Sequence, residues 1–244
     1  MPPLLSVEQI EVGPQAGGPA ILRGLSLAVA RGERVAIVGR SGAGKTTLFR
    51  AINGAMAARR GRVLFGGEDV GRCRGAALRR LRSRIAVIMQ KHDLVEPLRV
   101  HQNVMAGALG RWSTAYALRY LAWPPASALS DAEQALEQVG LAHKLHAHTG
   151  SLSGGEQQRV AIARALVQAP ELILADEPVA SLDPHTAEQV LTLLCELAER
   201  RQVALVCSLH QPELARRYFA RVVEIRQGQA FESVRSTEPS AARR

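Results

Sequence analysis

The sequence predicts an α/β fold built around a parallel sheet. A short apolar run rich in β-branched residues leads into a glycine-rich segment and then into a helix-compatible segment. Similar apolar runs recur later in the chain, separated by helical patterns and by one long, mostly helical stretch. Such alternation is typical of a parallel sheet with helices on its faces. The strand-like runs cover residues 34–38, 85–89, 171–175 and 203–208, and the helical patterns cover residues 45–53, 91–150 and 184–200.

The glycine-rich segment has the spacing of a phosphate-binding loop. It reads Gly39-Arg40-Ser41-Gly42-Ala43-Gly44-Lys45-Thr46-Thr47, which is Gly, four free positions, Gly, Lys and Thr. A strand that enters such a turn and leaves it as a helix directs backbone N–H groups and the positive end of the helix dipole at one point. Lys45 can then bind the β- and γ-phosphates, and the Thr46 hydroxyl can ligate Mg²⁺. The segment therefore predicts nucleotide binding.

Composition limits the remaining possibilities. The chain has 244 residues, 47% hydrophobic and 4% aromatic, which suits one aliphatic core with an inserted lobe. The three cysteines are widely separated, which argues against a disulfide or zinc framework and for a reducing compartment. We expect no signal peptide and no membrane-spanning segment, so a role at a membrane would require the helices of another chain.

The positive charge is concentrated in one part of the sequence. The net charge is +9, and residues 59–84 contain nine arginines but only two acidic residues, Glu68 and Asp69. One interpretation is a solvated arginine-rich face. The other is attraction to anionic headgroups or to nucleic acid.

The order of patterns predicts one domain, residues 4–231. Its core comprises residues 4–90 and 158–231, and residues 91–157 form a helical subdomain. Turn residues separate two β-rich segments at the start of the chain. The polar tail at 232–244 is predicted to be disordered. Further predicted elements are strands at 4–12, 20–30, 61–67 and 221–226 and a helix at 72–84.

Two further motifs carry candidate chemistry. Asp176 and Glu177 end an apolar run, where the aspartate can hold Mg²⁺ through water and the glutamate can act as general base on the attacking water. The segment 152–159 places Ser153 three residues before Glu156, which is a capping box at the start of a helix. With its two glycines, this helix start is also a second candidate anion site.

Together these motifs resemble those of ATP-binding cassette (ABC) proteins. The phosphate loop, Gln90, the segment 152–159, Asp176-Glu177, Ser181-Leu182-Asp183 and His210 occur in that family's order, over residues 4–229. The resemblance implies a RecA-like P-loop NTPase core, an N-terminal antiparallel β subdomain and an inserted α-helical subdomain. It also implies hydrolysis of ATP with Mg²⁺.

The resemblance further implies a head-to-tail dimer with two ATP molecules between the subunits. Ser153, Gly154, Gly155 and Glu156 of one copy would cap the γ-phosphate bound by residues 39–47 of the other. Thr46, Gln90 and Asp176 would serve the metal. Gln90 would also lie near the attacking water, Glu177 would be the base, His210 would contact the γ-phosphate and Asp183 would lie at the dimer seam. Such proteins usually stack an aromatic residue on adenine, but no aromatic precedes Phe49, so Val12 is the expected substitute.

The amino-acid sequences of three segments, 103–121, 175–184 and 208–211, are similar to those of the ATP-binding subunits of phosphonate importers. That similarity implies a homodimer bound peripherally at the cytoplasmic face of the cell membrane, with a permease dimer and a solute-binding protein as partners. The alternatives are an importer of another small solute or a nucleic-acid-associated cassette ATPase. The latter usually carries a long coiled coil, for which residues 90–151 are too short, so no nucleic acid is expected. A small-molecule kinase would leave the segment 152–159 unexplained.

Overall fold

The computed structural model describes residues 2–14, 17–90 and 93–234. Within these ranges the chain forms ten strands and eight α-helices. The strands are β1 Leu5–Val12, β2 Leu22–Val29, β3 Arg34–Val38, β4 Arg60–Phe65, β5 Glu68–Asp69, β6 Ile85–Ile88, β7 Leu172–Asp176, β8 Ala204–Leu209, β9 Arg221–Arg226 and β10 Gln229–Val234. The helices are α1 Lys45–Ile52, α2 Gly75–Ser83, α3 Val100–Met105, α4 Thr114–Ala122, α5 Ala126–Glu137, α6 Gly154–Val167, α7 Pro184–Arg200 and α8 Pro212–Tyr218.

The larger sheet positions the candidate site. Its strand order is β10-β9-β3-β8-β7-β6, and β3, β6, β7, β8 and β9 run parallel. The carboxyl ends of β3, β8 and β7 are therefore neighbours at one edge of the sheet. In open parallel sheets that edge is where ligands bind.

The smaller sheet confirms the predicted N-terminal antiparallel subdomain. Its order is β2-β1-β4-β5, and every pair is antiparallel. The β1 register shifts at Gln9, which has a φ of 49°. The backbone N–H of Gln9 donates to the Ser26 hydroxyl at 3.0 Å, and this contact stabilises the bulge.

Two aliphatic clusters cover the opposite faces of the parallel sheet. In β3, the side chains of Val35 and Ile37 join the cluster formed by α1 and the smaller sheet. The alternate side chains of Ala36 and Val38 join the cluster formed by the helices of the other face. Both faces of β3 are therefore buried, which is why its sequence is a continuous apolar run.

The helical subdomain packs closely on α6. A Cβ at Gly107 would lie 2.1 Å from the carbonyl oxygen of Arg164, so only glycine permits this approach. Since α6 runs unbroken from Gly154 to Val167, the predicted boundary between residues 157 and 158 falls inside this helix. No helix in the described ranges is both long and apolar enough to cross a bilayer.

Three elements of the structure, β5, α8 and β10, were not predicted. The strand β10 also includes residues 232–234, which the sequence assigned to a disordered tail, so that boundary is wrong; residues 235–244 lie outside the described residues. The segment has little apolar pattern. It is paired with β9 through a turn at Gln227 and Gly228, and Glu232 forms an ion pair with Arg221.

Candidate nucleotide site

The phosphate loop lies between β3 and α1, as predicted. Gly42 and Gly44 adopt φ values of 78° and 111°, which side chains disfavour. A Cβ at Gly39 would lie 2.7 Å from the carbonyl oxygen of Ile225, and one at Gly44 would lie 2.6 Å from Leu22 Cδ2. All three glycines are therefore required for this conformation.

A pocket of about 270 Å³ opens beside the loop and contains most of the predicted catalytic residues. The loop and the ends of β7 and β8 are thus brought together. Its lining residues are Ile21, Ser41, Gly42, Gly44, Lys45, Thr46, Thr47, Glu177 and His210. Within the loop, the remaining Arg40 and Ala43 form a turn in which the Ala43 N–H donates to the Arg40 carbonyl at 3.0 Å.

The carboxylate of Glu177 is shared between two basic side chains. Its Oε1 lies 3.3 Å from Lys45 Nζ, and its Oε2 lies 2.7 Å from His210 Nε2. Lys45 is 4% exposed and also donates to the carbonyl oxygen of Gly39 at 2.9 Å. The phosphate-binding cation and the candidate base are therefore in direct contact.

Ser208 fixes the backbone on which the acidic pair sits. The Glu177 N–H donates to the Ser208 hydroxyl at 2.9 Å, and that hydroxyl donates to Asp176 Oδ1 at 2.7 Å. Glu177 has a φ of 52°, a left-handed conformation that costs a non-glycine residue about 1–3 kcal/mol. The sequence patterns assign Ser208 no role. The sequence feature that indicates such a role is a serine, two residues before His210, in an otherwise apolar strand.

Gln90 follows β6 and is exposed at the same edge of the sheet. In β6, Ile88 pairs with Ala175, the residue before Asp176. Because β6 and β7 are neighbouring parallel strands, Gln90 and Asp176 both lie at the carboxyl end of the sheet.

The segment at the start of α6 lies outside this pocket. Ser153 and Glu156 form the predicted capping box, with the Ser153 N–H donating to Glu156 Oε2 at 2.8 Å and the Glu156 N–H donating to Ser153 Oγ at 3.3 Å. The hydrogen bond from the Ser153 backbone N–H lowers the pKa of the Glu156 carboxyl. A Cβ at Gly155 would lie 2.5 Å from Thr186 Cγ2, so this segment packs against the start of α7.

Asp183 caps α7 beside that segment. Its Oδ1 accepts from the Thr186 N–H at 3.0 Å, and hydrogen bonds from the Thr186 side chain and backbone lower the pKa of Asp183. Asp183 and Ser153 are both exposed, whereas Gly155 is buried. The two helix starts thus form one surface, separate from the phosphate loop.

Comparison with known proteins decides the family. A model described as "ABC transporter" matches residues 22–180. The chain belongs to the ABC transporter family. It is 49% identical over 205 residues to the phosphonates import ATP-binding protein PhnC of Frankia casuarinae, covering 84% of this chain and 80% of the relative. It is 46% identical over 212 residues to PhnC 1 of Pseudomonas savastanoi pv. phaseolicola, covering 87% and 79%.

Solved structures show the same fold. The cbiO1 structure from Clostridium perfringens, part of the cbiONQ complex, has a TM-score of 0.81 at 28% identity and covers 95% of this chain and 88% of its own. The dimeric structure of the bacterial cassette MJ0796 has a TM-score of 0.81 at 27% identity and covers 94% and 98%. The predicted P-loop NTPase fold and the family resemblance are confirmed, and the protein is an ATP-hydrolysing cassette subunit.

One predicted contact of this cassette is wrong. Val12 is 0% exposed inside the β1–β2 core, so its side chain has no surface to offer a base. The apolar side chain that lines the pocket is Ile21, which lies directly against the loop; a Cβ at Gly44 would be 3.3 Å from Ile21 Cγ2. In the sequence, Ile21 is an apolar residue directly after the glycine- and proline-rich residues 13–20. Its place beside the phosphate loop depends on the pairing of β1 with β2.

The oxygen donors of the cassette fit a magnesium ion that is held partly by phosphates. A Thr46 hydroxyl, an Asp176 carboxylate and a Gln90 amide are the ligand types that Mg²⁺ prefers. In the described part of the chain, no group of three or more His, Cys, Asp or Glu side chains could hold a metal alone. Phosphate oxygens would therefore have to supply the remaining ligands.

We predict that Ser208→Ala lowers the ATP hydrolysis rate about 10- to 100-fold at saturating ATP, because the backbone of Glu177 and the carboxylate of Asp176 lose their common partner. Steady-state hydrolysis and ATP binding by the same variant would be compared. Ser151→Ala is the control, since its exposed hydroxyl donates only to the His148 carbonyl at 2.7 Å. An unchanged rate in Ser208→Ala would show that the hydroxyl has no part in placing the acidic pair.

Proposed function

We propose that the protein is the ATP-hydrolysing subunit of an importer that takes up phosphonate or a related phosphorus oxyanion. The observation that carries the ATPase proposal is one pocket containing Lys45, Glu177 and His210. Support for the cargo comes from relatives that cover most of the chain at 41–49% identity and are named as phosphonate import ATP-binding proteins. Cargo selectivity itself would reside in other chains.

The proposed working unit is a homodimer. Residues 153–156 lie outside the pocket and are fixed against Leu182 and Thr186 of their own chain. A helix start with free N–H groups and two glycines suits the γ-phosphate of a nucleotide bound to another subunit. We therefore place the second half of each site on the partner subunit, with Asp183 at the seam.

Hydrolysis would begin with a change of partner for Lys45. Its ammonium is placed 3.3 Å from Glu177, and the phosphate loop presents the β- and γ-phosphates to the same ammonium. Once Lys45 binds phosphate, the Glu177 carboxylate can accept a proton from the attacking water. His210 keeps the other carboxylate oxygen in place and lies where it can contact the γ-phosphate.

Thr46, Asp176 and Gln90 would hold Mg²⁺ together with the phosphates. The ion would neutralise charge on the transferred group. Ser208, hydrogen-bonded to Asp176, would orient that carboxylate. Ile21 takes the role expected of Val12 as the apolar contact for the base, without the stacking that an aromatic ring provides.

The proposed location is the cytoplasmic face of the cell membrane, where the subunit would bind a permease dimer. A solute-binding protein would deliver cargo to that permease. Closure of the cassette dimer on ATP and its reopening after hydrolysis would then drive the permease between two states.

We predict that Glu177→Gln retains ATP binding but reduces turnover by about 10²- to 10⁴-fold, because the amide cannot accept the proton. The variant should accumulate as an ATP-bound dimer, measured by light scattering during gel filtration. Glu133→Gln, at an exposed position of α5, is the matched control. Turnover equal to that of the unmodified protein would remove Glu177 from the role of base.

We predict that Gly154→Asp impairs hydrolysis while ATP binding by the monomer stays near normal, since the new carboxylate would repel the γ-phosphate held by the partner subunit. Binding is measured at protein concentrations below dimerisation, and hydrolysis above it. Gly150→Ala is the control, because its Cβ would make only an ordinary 3.4 Å contact with Glu96. Loss of ATP binding in the monomer would place the segment inside its own pocket.

For the cargo, we predict that ATP hydrolysis is slow in the isolated subunit and rises when phosphonate and its binding protein are added to the reconstituted subunit–permease complex. Hydrolysis is measured with phosphonate, phosphite and an unrelated solute such as an amino acid. Stimulation by the unrelated solute alone would overturn the phosphonate assignment and leave the ATPase assignment intact.

A further inference from the structure

The helix α4 presents an apolar surface to solvent. Leu118 is 63% exposed, Leu121 is 52% exposed and Trp123, which directly follows the helix, is 78% exposed. Ala115 and Ala122 are also exposed on the same side of the helix. We call this set, with Arg119, the α4 surface. Single exposed apolar residues are common, but a contiguous group on one helix marks an interaction site.

The opposite side of α4 is firmly anchored. The rings of Tyr116 and Tyr120 lie 4.8 and 5.0 Å from that of Trp112. The Tyr120 hydroxyl lies 2.8 Å from His101 Nδ1 inside the helical subdomain. Ser113 caps the helix by accepting from the Tyr116 N–H at 3.3 Å. The inward side chains of α4 are therefore packed and hydrogen-bonded within the helical subdomain. Because these contacts fix the orientation of the helix, its exposed residues remain directed to solvent.

The segment of sequence that contains α4 carries charge of one sign. Residues 97–130 contain no Asp or Glu but contain Arg99, Arg111 and Arg119. Arg119 is exposed, next to Leu118, and its guanidinium lies 6.0 Å from the Tyr116 ring centre. A partner that binds this surface must therefore offer both an apolar environment for the leucine and tryptophan side chains and a negative charge for the arginine.

Two features favour a lipid surface over a folded protein as that partner. The apolar side chains project from a helix and its end, and they take no part in the cavity that residues 106–110 form with α2 and Gln168. Exposed leucines, a terminal tryptophan and an arginine in a segment without acidic residues are the composition of helices that lie in the headgroup region of anionic bilayers.

We propose that the α4 surface inserts Leu118, Leu121 and Trp123 into the headgroup region of an anionic bilayer, with Arg119 bound to lipid phosphate. One short helix with three large apolar residues gives weak, reversible binding. Its effect would be to orient the cassette beside its permease. The inference does not depend on the identity of the cargo or on the hydrolysis mechanism.

The test is binding of the full-length protein to vesicles of phosphatidylglycerol and phosphatidylcholine, followed by flotation. We expect binding to the mixed vesicles, much less to pure phosphatidylcholine, and a loss of at least about tenfold in the double variant Leu118→Ser, Trp123→Ser. Phe231→Ser is the control, because Phe231 is 48% exposed on β10 and should not alter binding. Unchanged ATP hydrolysis in the double variant would confirm that it folds.

A fluorescence measurement locates the contact. The chain has two tryptophans, so Trp112→Phe leaves Trp123 as the reporter. Its emission should shift to the blue with anionic vesicles, and Arg119→Glu should abolish the shift. The proposal is overturned by any of three results: no shift and no flotation, binding that requires the permease, or self-association of the protein that the double variant removes. The last two would assign the α4 surface to a protein partner.

Discussion

The contact between Lys45 and Glu177 constrains the rest of the site. A lysine that is only 4% exposed must have its charge compensated, and the Glu177 carboxylate supplies that compensation at 3.3 Å. The same carboxylate is bound at its other oxygen by His210. In the proposed mechanism Lys45 binds phosphate and Glu177 is the base, so a phosphate that attracts Lys45 would also change the environment of Glu177. Binding and activation of the site would thereby be linked through one ion pair.

The strand order is what brings these groups together. Lys45 follows β3, Glu177 follows β7 and His210 follows β8, and the order β3-β8-β7 places the three strand ends side by side. The residues are far apart in sequence, but the parallel register makes Asp176 and Ser208 direct partners. A hydroxyl on β8 can therefore fix the backbone of the acidic pair on β7. The buried aliphatic faces of the sheet stabilise this register, because a one-residue slip would move every side chain of a strand to the opposite face.

Local patterns predicted most of the fold and of the candidate site, and contacts between distant segments account for the rest. The loop 39–47 and the capping box at Ser153 are determined by short sequences, and both appear where they were predicted. Ser208 gains its role only from pairing with β7. The burial of Val12 and the exposure of Ile21 depend on how β1 and β2 pair, and β10 depends on its hairpin with β9. None of these leaves a periodic signal in the sequence.

The separation of the two candidate anion-binding helix starts has a mechanical consequence. The start of α6 is fixed by close packing of Gly155 on Thr186, so it cannot approach the phosphate loop of its own chain without moving α7. The start of α1 is fixed just as closely by Gly39 and Gly44. In the proposed homodimer, each of these two rigid half-sites would be completed by a second chain in the opposite orientation. Hydrolysis would then report the association of two subunits, which is the property a transport motor needs.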